Sequence, residues 1–203
     1  MKEKQAKKLI LASASPRRKE LLENLGYVFQ IIPADIDETI NGTKSPEEIV
    51  KELALQKATY VADSVNYPAI IIGSDTIVVV DNTILGKPEN NEDACNMLKM
   101  LSGRSHQVIS GIAIIDNSNN KKIVDSVSSD VYFRAISKEE ITSYVKTGEP
   151  MDKAGAYAIQ GLASTFIEKI NGCYNNIVGL PIFKVTQALK EFDLDILEIN
   201  KKD

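Results

Sequence analysis

Ala69-Ile70-Ile71-Ile72-Gly73-Ser74-Asp75-Thr76-Ile77-Val78-Val79-Val80 is the stretch of the chain that decides the fold. Its β-branched residues are typical of a buried strand, but the polar segment 73–76 interrupts the apolar run. Burying the Asp75 carboxylate without partners would cost a large free energy. Two interpretations stay open: backbone amides satisfy Asp75 within a structural turn, or Asp75 faces a cleft where a cation or a water molecule uses its charge.

The segments on either side of this stretch alternate between helical and strand patterns. Before it, Ser15-Pro16 and Ser45-Pro46-Glu47-Glu48 are typical helix starts, and an acidic loop is expected over 35–43. After it, two long strands joined by a turn predict an antiparallel hairpin. The predicted elements are strands at 9–12, 27–32, 107–115 and 123–135 with a short return strand ending at Leu85, helices at 92–101, 137–146 and 181–192, and a structured loop over 148–161. The sequence therefore predicts an α/β or α+β fold around a mixed sheet.

Composition limits the possible functions. The 203 residues are 43% hydrophobic, which is enough for a sizeable core, and no linker divides them, so we expect one domain over residues 1–203. The formal net charge is −4 and the pI is near 5.2, which argues against a nucleic-acid-binding protein. An anionic ligand would therefore need a local group of Lys and Arg side chains, helped by a metal ion.

The cysteines and the apolar runs indicate the cellular context. Cys95 and Cys173 lie far apart and show no spacing typical of a zinc site or a disulfide framework. The apolar run near the N-terminus is too short for a secretion signal, and no run approaches the roughly 20 apolar residues of a membrane span. We therefore expect a soluble, cytoplasmic protein that does not contact a membrane.

Ser13-Ala14-Ser15-Pro16-Arg17-Arg18 is a candidate phosphate-binding segment. A junction between a strand and a helix offers free backbone amides, and here it adds hydroxyl groups and two guanidinium groups. The alternative is that Ser15 only caps the helix while Arg17 and Arg18 lie in solvent, which is the commoner outcome for such a motif in isolation.

Other polar residues are ambiguous when each is taken alone. Lys57 lies on the second predicted helix, and Gly86-Lys87-Pro88 holds a lysine near a strand end, yet either lysine could simply be solvated. The loop containing Asp35, Asp37 and Glu38 could bind Mg²⁺ or Mn²⁺ through oxygen, or it could be an acidic surface loop.

Two further side chains narrow the chemistry. The amide of Gln160, in a glycine-punctuated loop, could recognise the edge of a base or could bond to the backbone. The single histidine, His106, stands at a strand entry, and we interpret it as structural. One histidine without an activated cysteine motif argues against Ser-His-Asp and Cys-His hydrolases.

The sequence also lacks two common nucleotide-binding motifs, the Walker A loop and the dinucleotide-binding fingerprint.

In order along the chain, these motifs resemble those of the Maf family of nucleotide pyrophosphatases, also called septum-formation inhibitors. The resemblance spans nearly the whole chain. The matching segments are 13–18, 37–39, 73–76, 86–88, 100–103, 148–150, 152–155, 159–161 and 178–181. Within the family, segments 152–157 and 159–161 are similar to the branch that acts on dTTP and UTP. Ala158 departs from the glycine that family members often have there, which could stiffen the loop.

The resemblance implies an enzyme that cuts dTTP and UTP to the monophosphate and pyrophosphate. It implies Asp75 as the proton acceptor. Our mechanistic hypothesis adds a divalent cation, Mg²⁺ or Mn²⁺, bound by Glu38 and Asp75. Base selection would fall to Arg17, Thr76 and Gln160. The residues that it places around the substrate are Ser13, Arg17, Arg18, Glu38, Lys57, Thr76, Lys87 and Gln160.

The resemblance also implies an elongated mixed sheet flanked by helices, with two lobes, a central cleft and usually a homodimeric assembly. A nucleotide-binding regulator of cell division without catalytic activity stays open as the alternative. RNA or DNA binding is disfavoured, because the pI is acidic and aromatic residues make up only 6% of the chain.

Overall fold

The computed structural model describes residues 7–39 and 44–199. Within them, the strands are β1 (Lys8–Leu11), β2 (Gln30–Ile31), β3 (Ala69–Val80), β4 (Thr83–Leu85), β5 (Ser105–Asp116), β6 (Lys122–Phe133) and β7 (Ile167–Asn171). The α-helices are α1 (Pro16–Glu23), α2 (Pro46–Ser64), α3 (Asn91–Leu101), α4 (Lys138–Val145), α5 (Tyr174–Val178), α6 (Ile182–Lys190) and α7 (Ile196–Ile199). Short 3₁₀ turns occupy Glu149–Asp152, Ala154–Ala156 and Leu162–Phe166.

All seven strands belong to one sheet in the order β2-β1-β3-β5-β6-β7, with β4 paired to β3. Strand β1 runs parallel to β2 and β3, whereas the other neighbouring strands are antiparallel. The long β5–β6 pair is the predicted hairpin. The expectation of a mixed sheet flanked by helices is therefore confirmed.

Strand β3 is continuous, so the structural turn that stayed open as one interpretation of 73–76 does not form. β5 pairs with it without a break from Ile70 to Val79, and this ladder supplies the hydrogen bonds that a turn would have had to provide. On the other edge, β1 covers only 69–72 and β4 covers only 78–80. Between them, residues 73–77 have no strand neighbour on that edge within the described part of the chain. The polar segment therefore lies at a gap in the sheet.

Helix α2 covers one face of the sheet at this gap, and two glycines allow its close approach. A Cβ atom at Gly73 would lie 2.2 Å from the Ala54 carbonyl oxygen, and one at Gly111 would lie 2.1 Å from that of Val50. Any larger side chain would push the helix away from the sheet. The apolar residues of α2 at 49, 50, 53, 54, 58 and 61 are all buried against the sheet.

The opposite face carries two hydrophobic cores, one in each lobe. The first packs α1 and α6 on β1 and on the nearer halves of β3 and β5. The second packs α3 and α4 on β4 and on the far halves of β3, β5 and β6. Side chains alternate between the faces of β3, so Ser74 and Thr76 point to the side of these cores and Asp75 points toward α2.

Helix starts are the best-predicted local features. Ser15 caps α1 with Pro16 in the first turn, and Ser45 with Glu48 forms the expected capping box of α2. Ser137 with Glu140 does the same for α4. The turn before β4 has positive φ at Asp81 and Asn82, as in the tight two-residue turns that join hairpin strands.

Three expectations need correction or completion. The strand expected over 27–32 is only Gln30–Ile31, since β2 pairs with β1 alone and its residues are exposed at the sheet edge. Strand β7 and the short helices α5 and α7 were not predicted, because none has an extended periodic pattern. The acidic loop is irregular over 35–39, and its remainder, 40–43, lies outside the described residues. In residues 7–39 and 44–199, no helix is long and apolar enough to cross a membrane.

Candidate active site

A cleft of about 680 Å³ opens at the gap beside β3, between the two lobes. One wall comes from the end of β1, the start of α1 and the loop at 33–38. The other wall comes from Gly86, Lys87 and the loop at 152–160. All nine residues singled out from the sequence line this cleft: Ser13, Arg17, Arg18, Glu38, Lys57, Asp75, Thr76, Lys87 and Gln160. The fold thus brings residues from 13 to 160 together around one cleft. The roles of these residues in the cleft are proposals.

Asp75 and Glu38 are joined through Lys57 at the floor of the cleft. The Lys57 Nζ lies 2.6 Å from Asp75 Oδ1 and 2.7 Å from Glu38 Oε1. Lys57 and Asp75 are each only 7% exposed, whereas the Glu38 side chain is 57% exposed. An ion pair at the floor of the cleft therefore satisfies the carboxylate that the sequence left ambiguous, and the backbone-turn interpretation is wrong.

The Arg18 guanidinium is fixed by three separate hydrogen bonds. Its Nε donates to the Gly179 carbonyl at 2.8 Å, Nη1 to Ser13 Oγ at 3.1 Å and Nη2 to Thr76 Oγ1 at 3.1 Å. Burial lowers the pKa of Arg18 below its usual value, and the neighbouring Asp75 opposes that shift. Arginine stays protonated under these conditions, so the cleft contains a rigidly oriented cation.

The Gly179 carbonyl is an acceptor that sequence analysis missed. It accepts hydrogen bonds from Arg18, from Ser74 Oγ at 3.3 Å and from Thr76 Oγ1 at 3.3 Å. Gly179 ends α5 with φ +124°, a conformation that favours glycine. The only signal in the sequence was the segment 178–181, which matched a family motif without any assigned role.

Behind Gly179, α5 is tied to the sheet by buried polar contacts. Thr76 Oγ1 lies 2.8 Å from Ser110 Oγ, and Ser110 donates to the Asn176 carbonyl at 3.0 Å. The Asn176 side chain donates to Val108 O at 2.9 Å and to Ser129 Oγ at 3.0 Å. This network connects β5 and β6 to the Arg18 side chain, so the cation is positioned by the body of the sheet.

Arg17 and Lys87 are cations to which the described residues give no fixed partner. Arg17 is partly buried and Lys87 is exposed, and within the described residues neither side chain makes a hydrogen bond. The Gly155 N–H donates to the Gly86 carbonyl at 3.0 Å, which links the segment before Lys87 to the loop on the same wall. Both cations can therefore reorient toward an anion that enters the cleft.

The loop containing Gln160 is anchored in the second lobe. Tyr157 is buried, and its hydroxyl lies 2.6 Å from His106 Nε2. Burial lowers the pKa of His106 to about 4, so the ring is neutral near pH 7. His106 lies beneath the loop and outside the cleft lining, in keeping with its structural interpretation. Gln160 itself is exposed on the cleft wall, and the described residues offer its side chain no hydrogen bond.

The oxygen ligands suit a cation shared with a substrate. Of the acidic loop, Glu38 lines the cleft and Asp35 and Asp37 do not. Asp37 instead accepts hydrogen bonds from Thr39, which lower its pKa. Within 7–39 and 44–199 there is no group of three or more His, Cys, Asp or Glu residues suited to a metal ion. Mg²⁺ commonly uses one or two carboxylates together with substrate phosphates and water, so Glu38 and Asp75 fit such a shared site.

The cleft therefore combines several chemical capacities. It has one oriented guanidinium, a buried lysine between two carboxylates, two adjustable cations and an amide at its outer wall. This set can hold several negative charges in a row, keep a carboxylate near a reacting atom and recognise a polar ring edge.

Comparison with known proteins gives a consistent result. The family model described as Maf-like protein matches residues 8–192. A dTTP/UTP pyrophosphatase of Alkaliphilus oremlandii (strain OhILAs) is 54% identical over 94% of this chain and 100% of its own length. A dTTP/UTP pyrophosphatase of Alkaliphilus metalliredigens (strain QYMF) is 52% identical over 94% of this chain and 99% of its own. Among solved structures, the Staphylococcus aureus Ham1 protein matches with a TM-score of 0.49 and 16% identity, covering 93% of this chain and all of that one.

Proposed function

The chain belongs to the Maf family, and from that premise we propose that it hydrolyses dTTP and UTP to the nucleoside monophosphate and pyrophosphate. The observation that carries the proposal is that one cleft holds all nine residues singled out from the sequence, with the Lys57 ion pair at its floor. The relatives that are about half identical to this chain are named for the same activity.

The triphosphate lies along the cationic side of the cleft. Arg18 offers a fixed guanidinium beside Ser13 and the N-terminal turn of α1, where backbone amides and the helix dipole favour anions. Arg17 and Lys87 close on the phosphates from the two walls. Because the chain carries a net charge of −4, this local group must overcome a repulsive field.

Asp75 accepts the proton of the attacking water. The water oxygen bonds to the α-phosphorus, the bond from that phosphorus to the bridging oxygen breaks, and pyrophosphate leaves. Lys57 stays beside Asp75 and holds its carboxylate in one orientation. Glu38 and Asp75 would hold a divalent cation, which would neutralise charge on the triphosphate.

Gln160 recognises the pyrimidine. Its amide can donate to O4 and accept from N3–H, a pattern that uracil and thymine share and that cytosine reverses. A buried hydrogen bond of this type is worth about 1 to 3 kcal/mol, so Gln160→Ala should reduce the preference for UTP over CTP about tenfold. Arg17 and Thr76 complete the proposed specificity set. Within it, the hydroxyl of Thr76 already bonds to Arg18, so its influence on the base would pass through that arginine.

The experiment that tests the function measures products from a panel of nucleotides. The purified protein is incubated with dTTP, UTP, CTP, ATP and GTP, with Mg²⁺, with Mn²⁺ and with a chelator. We expect pyrophosphate and monophosphate from dTTP and UTP in the presence of metal. Release of orthophosphate in place of pyrophosphate would contradict the proposal. No release from any nucleotide would also contradict it and would leave a non-catalytic nucleotide-binding role. The expected cytoplasmic location and homodimeric state stay predictions.

A further inference from the structure

Glu149 lies outside the cleft lining but contacts the backbone two and three residues after Gln160. Its Oε1 accepts hydrogen bonds from the backbone N–H of Leu162 at 3.0 Å and of Ala163 at 3.4 Å, and Oε2 accepts from Leu162 at 3.2 Å. These amides begin the 3₁₀ turn Leu162–Phe166, where the first N–H groups have no partner within the turn. The carboxylate thus caps, from a distant part of the chain, the segment that follows Gln160.

Glu149 is itself held in place by α4 and by the loop. The Tyr144 hydroxyl, at the end of α4, donates to Glu149 Oε1 at 3.3 Å. Burial and the neighbouring Glu149 carboxylate raise the pKa of Tyr144, so this hydroxyl remains a donor. The Lys153 ammonium donates to the Glu149 carbonyl at 2.6 Å. One residue therefore links α4, the cleft wall at 152–154 and the turn after Gln160.

Gly161 shows how closely the carboxylate fits against the loop. Its φ is +82°, and a Cβ atom at this position would lie 2.8 Å from Glu149 Oε1. The contact thus needs a residue without a side chain immediately after Gln160.

The segment 158–160 therefore lies between two anchors. On its N-terminal side, Tyr157 is buried against His106 and Phe133, with ring centroids 5.2 and 4.8 Å away. On its C-terminal side, the Glu149 carboxylate fixes 161–163. Recognition of a base edge needs its amide held within a fraction of an ångström, and an exposed side chain has no such restraint of its own.

We propose that Glu149 is a positioning residue for base selection: its carboxylate fixes the backbone at Leu162 and Ala163, two and three residues after Gln160, and so aims the Gln160 amide at the pyrimidine edge. This rests on the proposed function, because it assigns a second residue to the selectivity of the same site. Glu149 acts through Gln160 and has no part in holding the phosphates.

The test compares Glu149→Ala and Glu149→Gln with Glu139→Ala, a matched control that removes an exposed carboxylate on α4. The first readout is the ratio of kcat/KM for UTP to that for CTP, and the second is the affinity for inorganic tripolyphosphate, which has no base. We expect Glu149→Ala to lower the ratio about tenfold and Glu149→Gln at least threefold. Tripolyphosphate affinity should stay within twofold of wild type, and the control should change neither readout.

Two additional variants keep the test decisive if Glu149→Ala does not fold. Gly161→Ala disturbs the same contact from the other side and should lower the same ratio. In a Gln160→Ala background, Glu149→Gln should change the ratio by less than twofold, because coupled residues are not additive.

Unchanged selectivity in both Glu149 variants would overturn the inference. An equal loss of tripolyphosphate affinity, or full additivity with Gln160→Ala, would also overturn it. If the wild-type protein releases no pyrophosphate from UTP, the proposed function itself fails. Wild-type selectivity that survives in the Glu149 variants would reject only the positioning role.

Discussion

The ammonium nitrogen of Lys57 lies 2.6 Å from Asp75 Oδ1, and both residues are almost fully buried at the floor of the cleft. The same nitrogen lies 2.7 Å from Glu38 Oε1, so one cation serves two carboxylates. The pair depends on Gly73 and Gly111, which let α2 approach the sheet closely enough for Lys57 to reach β3. The lack of a side chain at these two glycines thus lets α2 pack closely on the sheet and lets the ion pair of the site form.

Removing the Lys57 charge should destabilise the fold. Lys57→Met leaves the Asp75 carboxylate buried without its main partner, and breaking a buried pair from one side typically costs about 3 to 5 kcal/mol. Because Asp75 borders the cleft and water can enter, we expect about 3 kcal/mol from urea unfolding. Lys51→Met, on the same helix, should change the free energy of unfolding by less than about 0.5 kcal/mol. The double variant Lys57→Met/Asp75→Asn should recover part of the loss, and equal stability of Lys57→Met and wild type would reject this account of the pair.

Replacing Arg18 with lysine should impair the enzyme although the charge is kept. The guanidinium uses three nitrogens for three different acceptors, a geometry that a single ammonium cannot reproduce. Losing one or two such bonds should lower kcat/KM for UTP about 10- to 100-fold. Arg17→Lys is the matched control and should cost less than about threefold, since no fixed geometry holds Arg17. Losses below about threefold in both variants would show that charge alone matters at this end of the cleft, and would contradict the role given to the Arg18 geometry.

His106 should make the fold sensitive to acid. Burial lowers its pKa from 6.5 in the unfolded chain to about 4 in the folded protein, so the unfolded state takes up the proton first as pH falls. Its contribution to stability is therefore complete above pH 6.5 and is lost progressively down to pH 4. Between pH 7.5 and pH 5 the loss should be about 2 kcal/mol. Urea unfolding of wild type and of His106→Gln at pH 7.5 and pH 5 isolates the contribution of His106 to the free energy of unfolding. Equal pH dependence of this free energy in the two proteins would refute the role of His106.

Local features of the fold followed directly from the sequence. Ser45 with Glu48 and Ser137 with Glu140 predicted helix starts correctly, because a capping box is complete within four residues.

Features that depend on distant partners could not be predicted in this way. The segment 73–76 looked like a break in the strand, yet β5 holds it extended through a ladder formed more than 30 residues away. The acceptor at Gly179 is a backbone carbonyl, and no residue type marks such a group in a sequence. Glu149 stood in a recognised motif, but its contact to Leu162 appears only when the loop is folded.

The candidate site contains both features that the sequence could predict and features that depend on the folded chain. Residue chemistry suggested that Lys87 and the Ser13–Arg18 segment could bind phosphate and that Asp75 could face a cation or a water molecule, but left each ambiguous. The order of the motifs implied roles for these residues by resemblance, and the structure places them around one cleft. The pairing of Lys57 with Asp75 was not foreseen, because the two residues are 18 positions apart and belong to different elements.

The central claim is that Asp75 accepts a proton within a cleft that binds the nucleotide by other groups, and Asp75→Asn tests it most directly. UTP binding is measured by calorimetry and pyrophosphate release by a coupled assay, with Asp63→Asn on the exposed face of α2 as the control. We expect Asp75→Asn to bind UTP with near wild-type affinity while turnover falls about 100- to 10,000-fold, the usual contribution of a general base. Turnover close to that of wild type in Asp75→Asn would contradict the account.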